Sequence, residues 1–481
     1  MKKIRFLLFL SVALLVLACQ VEGPPPSMTG VGFVTLGDSL TMGTQDAGLS
    51  REMQLNCYAY YIADQMGLSG FQQPYVDPPI GIPPYTEPFT YSGGIITFPD
   101  EGTPNLLSIL TSLVNRSLSR PYDNLGVNGA RLVNANGLGD LTEVTTYTDT
   151  SSNNFFFDIV LRNLPVFNPD FGYTTLLEQA AMLEPDYAIL WIGNNDVLAY
   201  LIGGGGDEVI TDTTDFTDEL ADVIAQLQST TEAEIVMANI PVNPEYLAYS
   251  HALDGAFVGG VPKLFDPTTL EAIDFDDTAG TEYVNLVTEE TPARLLLTAA
   301  AAYIQGGAGI PGGLEQTKID TLVNDYGVKV PDTPIPIPGD LTLTDAEVDN
   351  ITTAVAAFNV IIAATAASSG PEDPEIPLLD VYDLFDSDTF ESGGKYEDVG
   401  TIDFVLKPGA ADKTIFSLDG VHPSNLGHAI IANEFIEVMN TEFSLSIPLI
   451  DLSGFPVQYS GLDVRARSLD AIWGVRRLYG E

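Results

Sequence analysis

The sequence predicts an α/β protein: a three-layer α/β/α sandwich around a mostly parallel sheet, interrupted by a large insertion. Two short apolar runs of strand character, Tyr187 to Ile192 and Glu234 to Ile240, flank the stretch DFTDELADVIAQLQ. Within that stretch, apolar residues from Phe216 to Leu227 recur at the spacing of one helix face. Strands that alternate with helices are typical of parallel sheets, because the crossover helices cover the faces of the sheet.

The N-terminal part of the domain begins with a strand, predicted at Gly32 to Leu36, and a Gly-Asp-Ser turn. A helix is expected around Leu55 to Met66, followed by a proline-rich loop from Pro74 to Pro88 that is long enough to form the wall of a site. Cys57 falls within the expected helix, where a small buried thiol is the simplest role.

The C-terminal part continues the alternation. Thr344 and Glu347 form a capping box at the start of a long helix whose apolar residues recur at helical spacing. The run IPLLDVYDLF is predicted as the next strand, and a last helix begins near Leu426. The alternation of strands and helices therefore extends almost to the C-terminus.

Composition favours a large globular domain and a small or uncharged substrate. The 481 residues are 45% hydrophobic and 9% aromatic, enough to form a core despite 66 acidic against 19 basic residues. A formal net charge of -47 repels phosphate backbones, so no nucleic-acid partner is expected. No feature of the sequence indicates an oligomeric state.

The N-terminus has the pattern of an export signal. Residues 1–18 carry three basic residues ahead of a short apolar stretch. The sequence VLAC at 16–19 resembles the lipobox of bacterial lipoproteins, which implies cleavage before Cys19 and lipidation of its sulfur. An ordinary signal peptide with an incidental cysteine is the alternative. Residues 19–29, with three consecutive prolines, are expected to be a spacer. The protein is therefore predicted to be exported and anchored to the bacterial cell envelope, with the outer membrane as the expected site.

The main domain is predicted to span residues 30–452. Two segments, one inside this domain and one after it, differ from the rest of the chain. Residues 244–343 break the alternation with glycine- and proline-rich stretches around one helix-like piece, PARLLLTAAAAYIQ. This insertion is either a cap over the site or a loop-rich elaboration without a catalytic part. Residues 453–481 form a basic C-terminal tail with four arginines. A docking segment, an attachment segment and a frayed end remain open for the tail.

Ser39, in the stretch GFVTLGDSLTMG, is the candidate nucleophile, although such a serine taken alone is more often a plain turn residue. A serine hydroxyl reacts poorly until an oriented imidazole takes its proton. His422 follows Asp419 by three residues in a turn, a spacing that lets the carboxylate reach the ring. His428 is expected to face solvent in the first turn of the last helix, and His251 lies in the insertion. Only His422 has an evident orienting partner.

Acyl transfer also needs hydrogen-bond donors at a developing oxyanion. Gly129 lies in the turn of DNLGVNGARL, where a backbone N–H can be exposed without a side chain in the way. The GNND sequence at 193–196 ends a buried strand, where an asparagine amide can donate. No His-Glu-x-x-His pattern occurs, so the sequence indicates no metal.

Taken in order, these stretches resemble the conserved blocks of the SGNH hydrolases, also called GDSL esterases and lipases. GDSL at 37–40 matches the first block, residues 124–129 the second, residues 193–196 the third and residues 419–423 the fifth. Flanking stretches look like lipoprotein members from Bacteroidetes-type bacteria. The chain departs from the family pattern in the wide spacing between blocks and in the insertion at 244–343.

The resemblance implies a role for each candidate residue. Ser39 would be the nucleophile, His422 the base and Asp419 the residue that orients it. The backbone N–H of Ser39, Gly129 and Asn195 would form an oxyanion hole. No cofactor and no metal are implied.

The resemblance also implies an exported serine ester hydrolase that cleaves carboxylic esters of small molecules or lipids through an acyl-enzyme intermediate. A carbohydrate O-deacetylase of the same fold is one alternative. A catalytically inert surface binding lipoprotein is another, because a fold does not by itself determine function.

Overall fold

Five parallel strands form the central sheet of the computed structural model. In chain order the strands are β1 (Phe33–Gly37), β2 (Gly48–Leu49), β3 (Ile80–Gly81), β4 (Thr90–Ser92), β5 (Ile95–Thr97), β6 (Asn124–Gly126), β7 (Tyr187–Trp191), β8 (Glu234–Ala238), β9 (His251–Ala252), β10 (Phe257–Val258), β11 (Val261–Pro262), β12 (Leu264–Phe265), β13 (Ala272–Ile273), β14 (Pro292–Leu295), β15 (Thr342–Thr344) and β16 (Leu378–Leu379). The central sheet has the order β16-β8-β7-β1-β6, and all its neighbouring strands are parallel. The predicted α/β class with a parallel sheet is confirmed.

The structure describes residues 32–83, 85–92, 95–97, 99, 102, 111–136, 154–162, 174–206, 209–246, 249, 251–252, 257–258, 261–262, 264–265, 272–273, 292–296, 316, 341–368, 375–385, 387–402, 414–455 and 458–459. The predicted signal peptide, the spacer with Cys19 and the four arginines of the tail lie outside the described residues.

Two groups of helices pack against the sheet. In chain order the helices are α1 (Ser39–Met42), α2 (Arg51–Gln54), α3 (Tyr58–Gln65), α4 (Val133–Asn136), α5 (Phe155–Leu161), α6 (Leu176–Leu183), α7 (Asn195–Ile202), α8 (Thr213–Thr230), α9 (Asp345–Ala367), α10 (Val381–Leu384), α11 (Ser387–Phe390) and α12 (Asn425–Glu442). One group is α3 with α12, which also contacts β8 and β16. In the other group, α8 packs against α6 and α9, and α9 packs against α7. These layers form the predicted sandwich.

Aromatic contacts stabilise the packing between the sheet and one helix group and within the other helix group. The ring of Trp191, at the end of β7, lies 5.5 Å from that of Tyr58 on α3 and 6.0 Å from that of Phe435 on α12. In the other helix group, Phe216 of α8 stacks on Phe358 of α9 at 4.2 Å. All five side chains are fully buried. Strands buried on both faces consist of nearly continuous apolar residues, which explains the sequence of β7.

The long helix α9 begins at the predicted capping box. The Thr344 side chain accepts from the backbone of Glu347, whose carboxylate accepts from the backbone of Thr344. By length and composition, α9 is the one helix among the described residues that could cross a membrane. One face of the helix is buried where it packs against α7 and α8, whereas Val360 on another face is 68% exposed. The buried residues are Ile351, Val355, Phe358, Ile362 and Ala366. This packing explains the apolar residues of the buried face.

The insertion contributes a small antiparallel sheet. β14 pairs with β15 on one side and with β9 on the other. The start of PARLLLTAAAAYIQ, expected to be helical, is therefore a strand, and that prediction is wrong for residues 292–295. Pairing with two strands outweighs local helix propensity there. The remainder of that piece lies outside the described residues, apart from Leu296.

Two other predicted elements are shorter than expected. The helix predicted around Leu55 to Met66 begins only at Tyr58, after the separate short helix α2. The run IPLLDVYDLF is a strand only at Leu378–Leu379, because the Asp380 side chain then accepts from the backbone of Asp383 and starts α10. A capping side chain can end a strand as well as begin a helix.

Candidate active site

A cavity of about 410 Å³ lies at the carboxyl ends of the central strands. Ser39 follows β1, Gly129 follows β6 and Asn195 follows β7, and all three line the cavity. In the order β6-β1-β7-β8-β16, the chain crosses from one side of β1 to the other between β6 and β7. Ligands of open α/β sheets bind at such a topological switch point, outside the carboxyl ends of the strands.

The turn that carries Ser39 is held by the neighbouring aspartate. Asp38 caps α1, and its Oδ1 accepts from the backbone nitrogen of Leu40 at 3.0 Å. Its other oxygen accepts from the Nδ2 of Asn194 at 2.7 Å. Burial raises the pKa of Asp38 to about 6, although both hydrogen bonds act to lower it. Asp38 therefore shapes the turn between β1 and α1 and links it to the turn after β7.

Ser39 presents both its hydroxyl and its backbone N–H without a partner. The residue is only 4% exposed, and it lines the cavity. It is the first residue of α1, where a backbone N–H has no acceptor within the helix. No described residue bonds to its hydroxyl or its N–H, so both groups are available to a ligand.

Asp419 and His422 form a buried, hydrogen-bonded pair at the same cavity. His422 Nδ1 lies 2.8 Å from Asp419 Oδ2, and the backbone nitrogens of Val421 and His422 both donate to Oδ1 at 2.9 Å. The backbone nitrogen of Ala47 donates to Oδ2 at 2.6 Å. Burial alone would raise the pKa of Asp419, but the charge and hydrogen bonds of His422, with the bond from Ala47, outweigh it and lower the pKa to about 2. An ionised Asp419 accepts a hydrogen bond from Nδ1–H, so in the neutral imidazole Nε2 is the acceptor.

His422 and Ser39 both line the cavity, but no hydrogen bond joins these two side chains. Such contacts are often long without a ligand and shorten when substrate binds. The two side chains therefore face one cavity, where a ligand could contact both.

Gly129 adopts a backbone conformation that favours glycine. Its φ is 74°, and a Cβ atom there would lie 3.3 Å from Nδ2 of Asn154. That amide donates to the carbonyl oxygen of Asn128 and so holds the neighbouring backbone. No described residue accepts from the N–H of Gly129, which stays open at the cavity wall.

Asn195 supplies a side-chain donor at the start of α7. One hydrogen of its Nδ2 donates to the carbonyl oxygen of Ala130 at 2.9 Å, which fixes the amide plane. An amide nitrogen carries two hydrogens, so the second remains for a ligand. The amide thus joins Ser39 and Gly129 as a donor in one cavity.

Most of the cavity wall is apolar. The proline-rich loop supplies one side, as predicted, α7 supplies another, and the insertion adds Tyr249 and Leu296. The apolar and aromatic lining residues are Ala47, Ile82, Pro83, Tyr85, Phe89, Leu198, Leu201, Ile202, Tyr249, Leu296 and Val421. Besides the groups already described, the polar groups of the lining are the Asn128 side chain and the hydroxyls of Tyr85 and Tyr249.

His428 is buried, so the prediction that it faces solvent is wrong. It is fully inaccessible, its Nδ1 accepts from the backbone nitrogen of Tyr58 at 3.4 Å, and its ring stacks on that of Tyr58. Burial, with a smaller contribution from the charge of His422, lowers its pKa to about 3. The position within the first turn of α12 did not reveal that this face packs against α3. The side chain of His251 lies outside the described part of the structure.

The buried acidic groups near the cavity already have partners within the protein. Asp196 accepts from the backbone nitrogen of Leu132 at 2.9 Å and from the hydroxyl of Thr211 at 2.6 Å. Across the described ranges, no three histidine, cysteine or acidic side chains are grouped so that they could hold a metal ion. Cys57 is fully buried, as predicted, and burial raises its pKa to about 12.

The contact between Ala47 and Asp419 was not foreseen. Nothing in the stretch TQDAG marks Ala47, because its backbone makes the contact and its side chain carries no chemistry. Only the fold brings the two segments together.

A comparison with protein-family models finds one that matches residues 33–435, described as GDSL-like Lipase/Acylhydrolase. The match begins at the first residue of β1 and ends within α12, so it includes the central sheet, the cavity and all four sequence blocks. No curated protein matches the chain.

Proposed function

The chain belongs to the GDSL-like lipase/acylhydrolase (SGNH hydrolase) family and is a hydrolase, and from this premise we propose that it cleaves carboxylic esters through a serine-bound acyl intermediate. One observation carries the proposal: Ser39 and the hydrogen-bonded pair of His422 and Asp419 line the same cavity as three candidate oxyanion donors. Members of this family act on small-molecule esters, so we propose a substrate of that general class.

In the proposed acylation step, Ser39 Oγ attacks the ester carbonyl carbon while Nε2 of His422 takes the hydroxyl proton. Negative charge then develops on the carbonyl oxygen. The N–H groups of Ser39 and Gly129 and the free amide hydrogen of Asn195 would donate to it. The imidazolium, stabilised by ionised Asp419, returns the proton to the leaving alkoxide as the C–O bond breaks.

In the proposed deacylation step, water attacks the acyl-serine ester. His422 takes a proton from the water, the same three donors hold the second oxyanion, and Ser39 leaves with the proton from the imidazolium. The acid product is released and the enzyme is regenerated. Every proton transfer therefore passes through His422.

An apolar acyl group suits the cavity better than an acetylated sugar. The walls of the cavity are formed mainly by aliphatic and aromatic side chains from the proline-rich loop, α7 and the insertion. A carbohydrate ligand would need several polar partners for its hydroxyl groups, and outside the proposed catalytic groups this lining offers only Asn128 and the hydroxyls of Tyr85 and Tyr249. We therefore place esters with an apolar acyl chain ahead of the O-deacetylase alternative.

The test is hydrolysis of p-nitrophenyl esters from acetate to laurate, with acetylated xylan oligomers as competing substrates. We expect turnover of the aryl esters, labelling by a fluorophosphonate probe, and loss of both in Ser39→Ala. Ser229→Ala, which changes an exposed serine on α8, is the matched control. Unchanged hydrolysis by Ser39→Ala would overturn the proposal. A protein that neither labels nor hydrolyses any ester would support the inert binding lipoprotein instead.

We also propose export and lipid anchoring through Cys19. The support is the sequence of residues 1–29, with its basic start, apolar stretch, VLAC and proline spacer. Wild-type protein expressed in a Gram-negative host should incorporate radiolabelled palmitate and fractionate with membranes. Cys19→Ser should do neither, while Cys57→Ser should still do both. Palmitate labelling that persists in Cys19→Ser would refute the anchor.

A further inference from the structure

The turn at residues 45–47 is bonded to the loop that carries Asp419. Besides the bond from Ala47 to Asp419 Oδ2, the backbone nitrogen of Asp46 donates to Oγ of Ser417 at 3.0 Å. In return, the backbone nitrogen of Leu418 donates to Oδ1 of Asp46 at 2.9 Å. Three consecutive residues of the loop are therefore tied to two consecutive residues of the turn.

The same turn is close to the nucleophile along the chain. The backbone nitrogens of Gly43 and Thr44 donate to the carbonyl oxygen of Ser39 at 3.1 Å. The turn at residues 45–47 therefore follows α1 directly. Asp46 and Ala47 both have positive φ, 53° and 51°, a conformation that is unfavourable for residues other than glycine and tolerated best by aspartate and asparagine. The bonds to the Asp419 loop hold this conformation in place.

A segment near the C-terminus is hydrogen-bonded to the turn. The hydroxyl of Tyr459 donates to Oδ1 of Asp46 at 2.7 Å, and the tyrosine is 4% exposed. The neighbouring Gln458 donates to Oε1 of Gln45 at 3.0 Å and accepts from the backbone nitrogen of Asn425 at 2.7 Å. Residues 458–459 belong to the segment predicted as a tail, and here they contact both the turn and the start of α12.

We propose that Asp46 is a positioning residue for the pair of Asp419 and His422, and that Tyr459 completes its support. This inference rests on the proposed ester hydrolase. Oδ1 of Asp46 accepts from both Leu418 and Tyr459, and it thereby fixes the turn whose next backbone nitrogen holds Oδ2 of Asp419. That carboxylate in turn holds the imidazole of His422 through Nδ1.

Neither Asp46 nor Tyr459 belongs to the substrate cavity. Both line a separate cavity of about 240 Å³, together with Ser50, Glu52 and Gln458 among others. Loss of either side chain should therefore leave ground-state binding unchanged and misplace only the acid–base pair. The expected signature is a fall in kcat with little change in KM.

The experiment compares full-length Tyr459→Phe with Tyr122→Phe on a short p-nitrophenyl ester. Tyr122 is a matched control, because it is a buried tyrosine whose hydroxyl donates one hydrogen bond to the carbonyl oxygen of Asn115, outside both cavities. We expect Tyr459→Phe to lower kcat about tenfold with KM within about twofold of wild type. Tyr122→Phe should lower thermal stability to a similar extent without lowering kcat.

Substitution at Asp46 provides a second arm. Asp46→Ala removes the acceptor and should lower kcat about 100-fold. Asp46→Asn keeps an oxygen at Oδ1 and tolerates positive φ, and no described residue donates to Oδ2, so this variant should restore most of the lost kcat.

Different results would contradict the positioning role and the proposed ester hydrolase. Equal kcat in Tyr459→Phe, Tyr122→Phe and wild type would overturn the positioning role. A fall in kcat/KM of Tyr459→Phe that comes entirely from a higher KM would overturn it as well. If Asp46→Ala does not fold, the tyrosine pair still decides. Continued hydrolysis by Ser39→Ala would instead refute the proposed function itself.

Discussion

Oδ2 of Asp419 lies 2.8 Å from Nδ1 of His422, and this contact determines which ring nitrogen carries the proton. The carboxylate is buried but ionised at neutral pH, because its hydrogen bonds and the imidazole outweigh the cost of burial. It cannot rotate freely, since Ala47, Val421 and the backbone of His422 also donate to it. The pair is therefore fixed before any substrate arrives.

Asp419→Asn should lower kcat by on the order of 1,000- to 10,000-fold with KM nearly unchanged. An amide can present N–H groups to Nδ1, which favours the tautomer whose Nε2 is protonated and cannot take the serine proton. Steady-state hydrolysis of p-nitrophenyl butyrate measures the effect, with the exposed Asp451→Asn as the control. A variant that keeps more than a tenth of wild-type kcat would show that Asp419 does not orient the base.

Asn195→Ala should lower kcat by on the order of 100- to 1,000-fold through the loss of one oxyanion donor. The donor acts mainly when charge develops on the carbonyl oxygen, so KM should change much less. Asn440→Ala removes a comparable side-chain bond, from Nδ2 to the carbonyl oxygen of Ile447, far along α12. If both variants retained wild-type kcat, Asn195 would not contribute to the oxyanion hole.

His428→Asn should make the protein less sensitive to mild acid. The folded-state pKa of His428 is about 3, against an ordinary value of 6.5, so the unfolded chain binds a proton that the folded chain rejects. Its contribution to stability is complete above pH 6.5 and is lost as the pH falls toward 3. Asparagine cannot titrate, yet its side-chain oxygen can still accept from the backbone of Tyr58.

Urea unfolding at pH 7.5 and at pH 5 measures this effect. Between the two pH values, the wild type should lose about 2 kcal/mol more of its free energy of unfolding than His428→Asn, which corresponds to one proton over 1.5 pH units. Parallel losses in the two proteins would mean that His428 does not titrate differently in the folded and unfolded states. Activity at pH 7.5 serves as the check on correct folding.

Local sequence patterns predicted the elements whose stability depends on interactions between residues close together in the chain. The capping box at Thr344 and the buried apolar run of β7 formed as expected, because each is specified by neighbouring residues. The strand at 292–295 was not predicted, because its pairing partners are distant in sequence. For the same reason the burial of His428 depends on α3, which no pattern within α12 reveals.

In the candidate site, too, some residues were predicted from the sequence and others were not. Ser39, Asp419 and His422 were found from side-chain chemistry and spacing, and the structure brings them to one cavity. Ala47 and Tyr459 escaped notice, because the first acts through its backbone and the second acts on a turn 413 positions away in sequence. Sequence reasoning finds reactive groups more readily than the groups that support them.

The insertion should influence which acyl chain is accepted, because Leu296 lines the cavity and is 3% exposed. Leu296→Ala removes apolar surface from the cavity, and we expect a long acyl chain to depend on that surface more than an acetyl group does. We expect kcat/KM to fall about tenfold for p-nitrophenyl octanoate and to stay within about twofold for the acetate. Leu343→Ala is the matched control, since this buried leucine on the neighbouring strand β15 does not line the cavity. An equal loss for both esters, or the same selectivity in both variants, would show that the insertion does not contact the acyl chain.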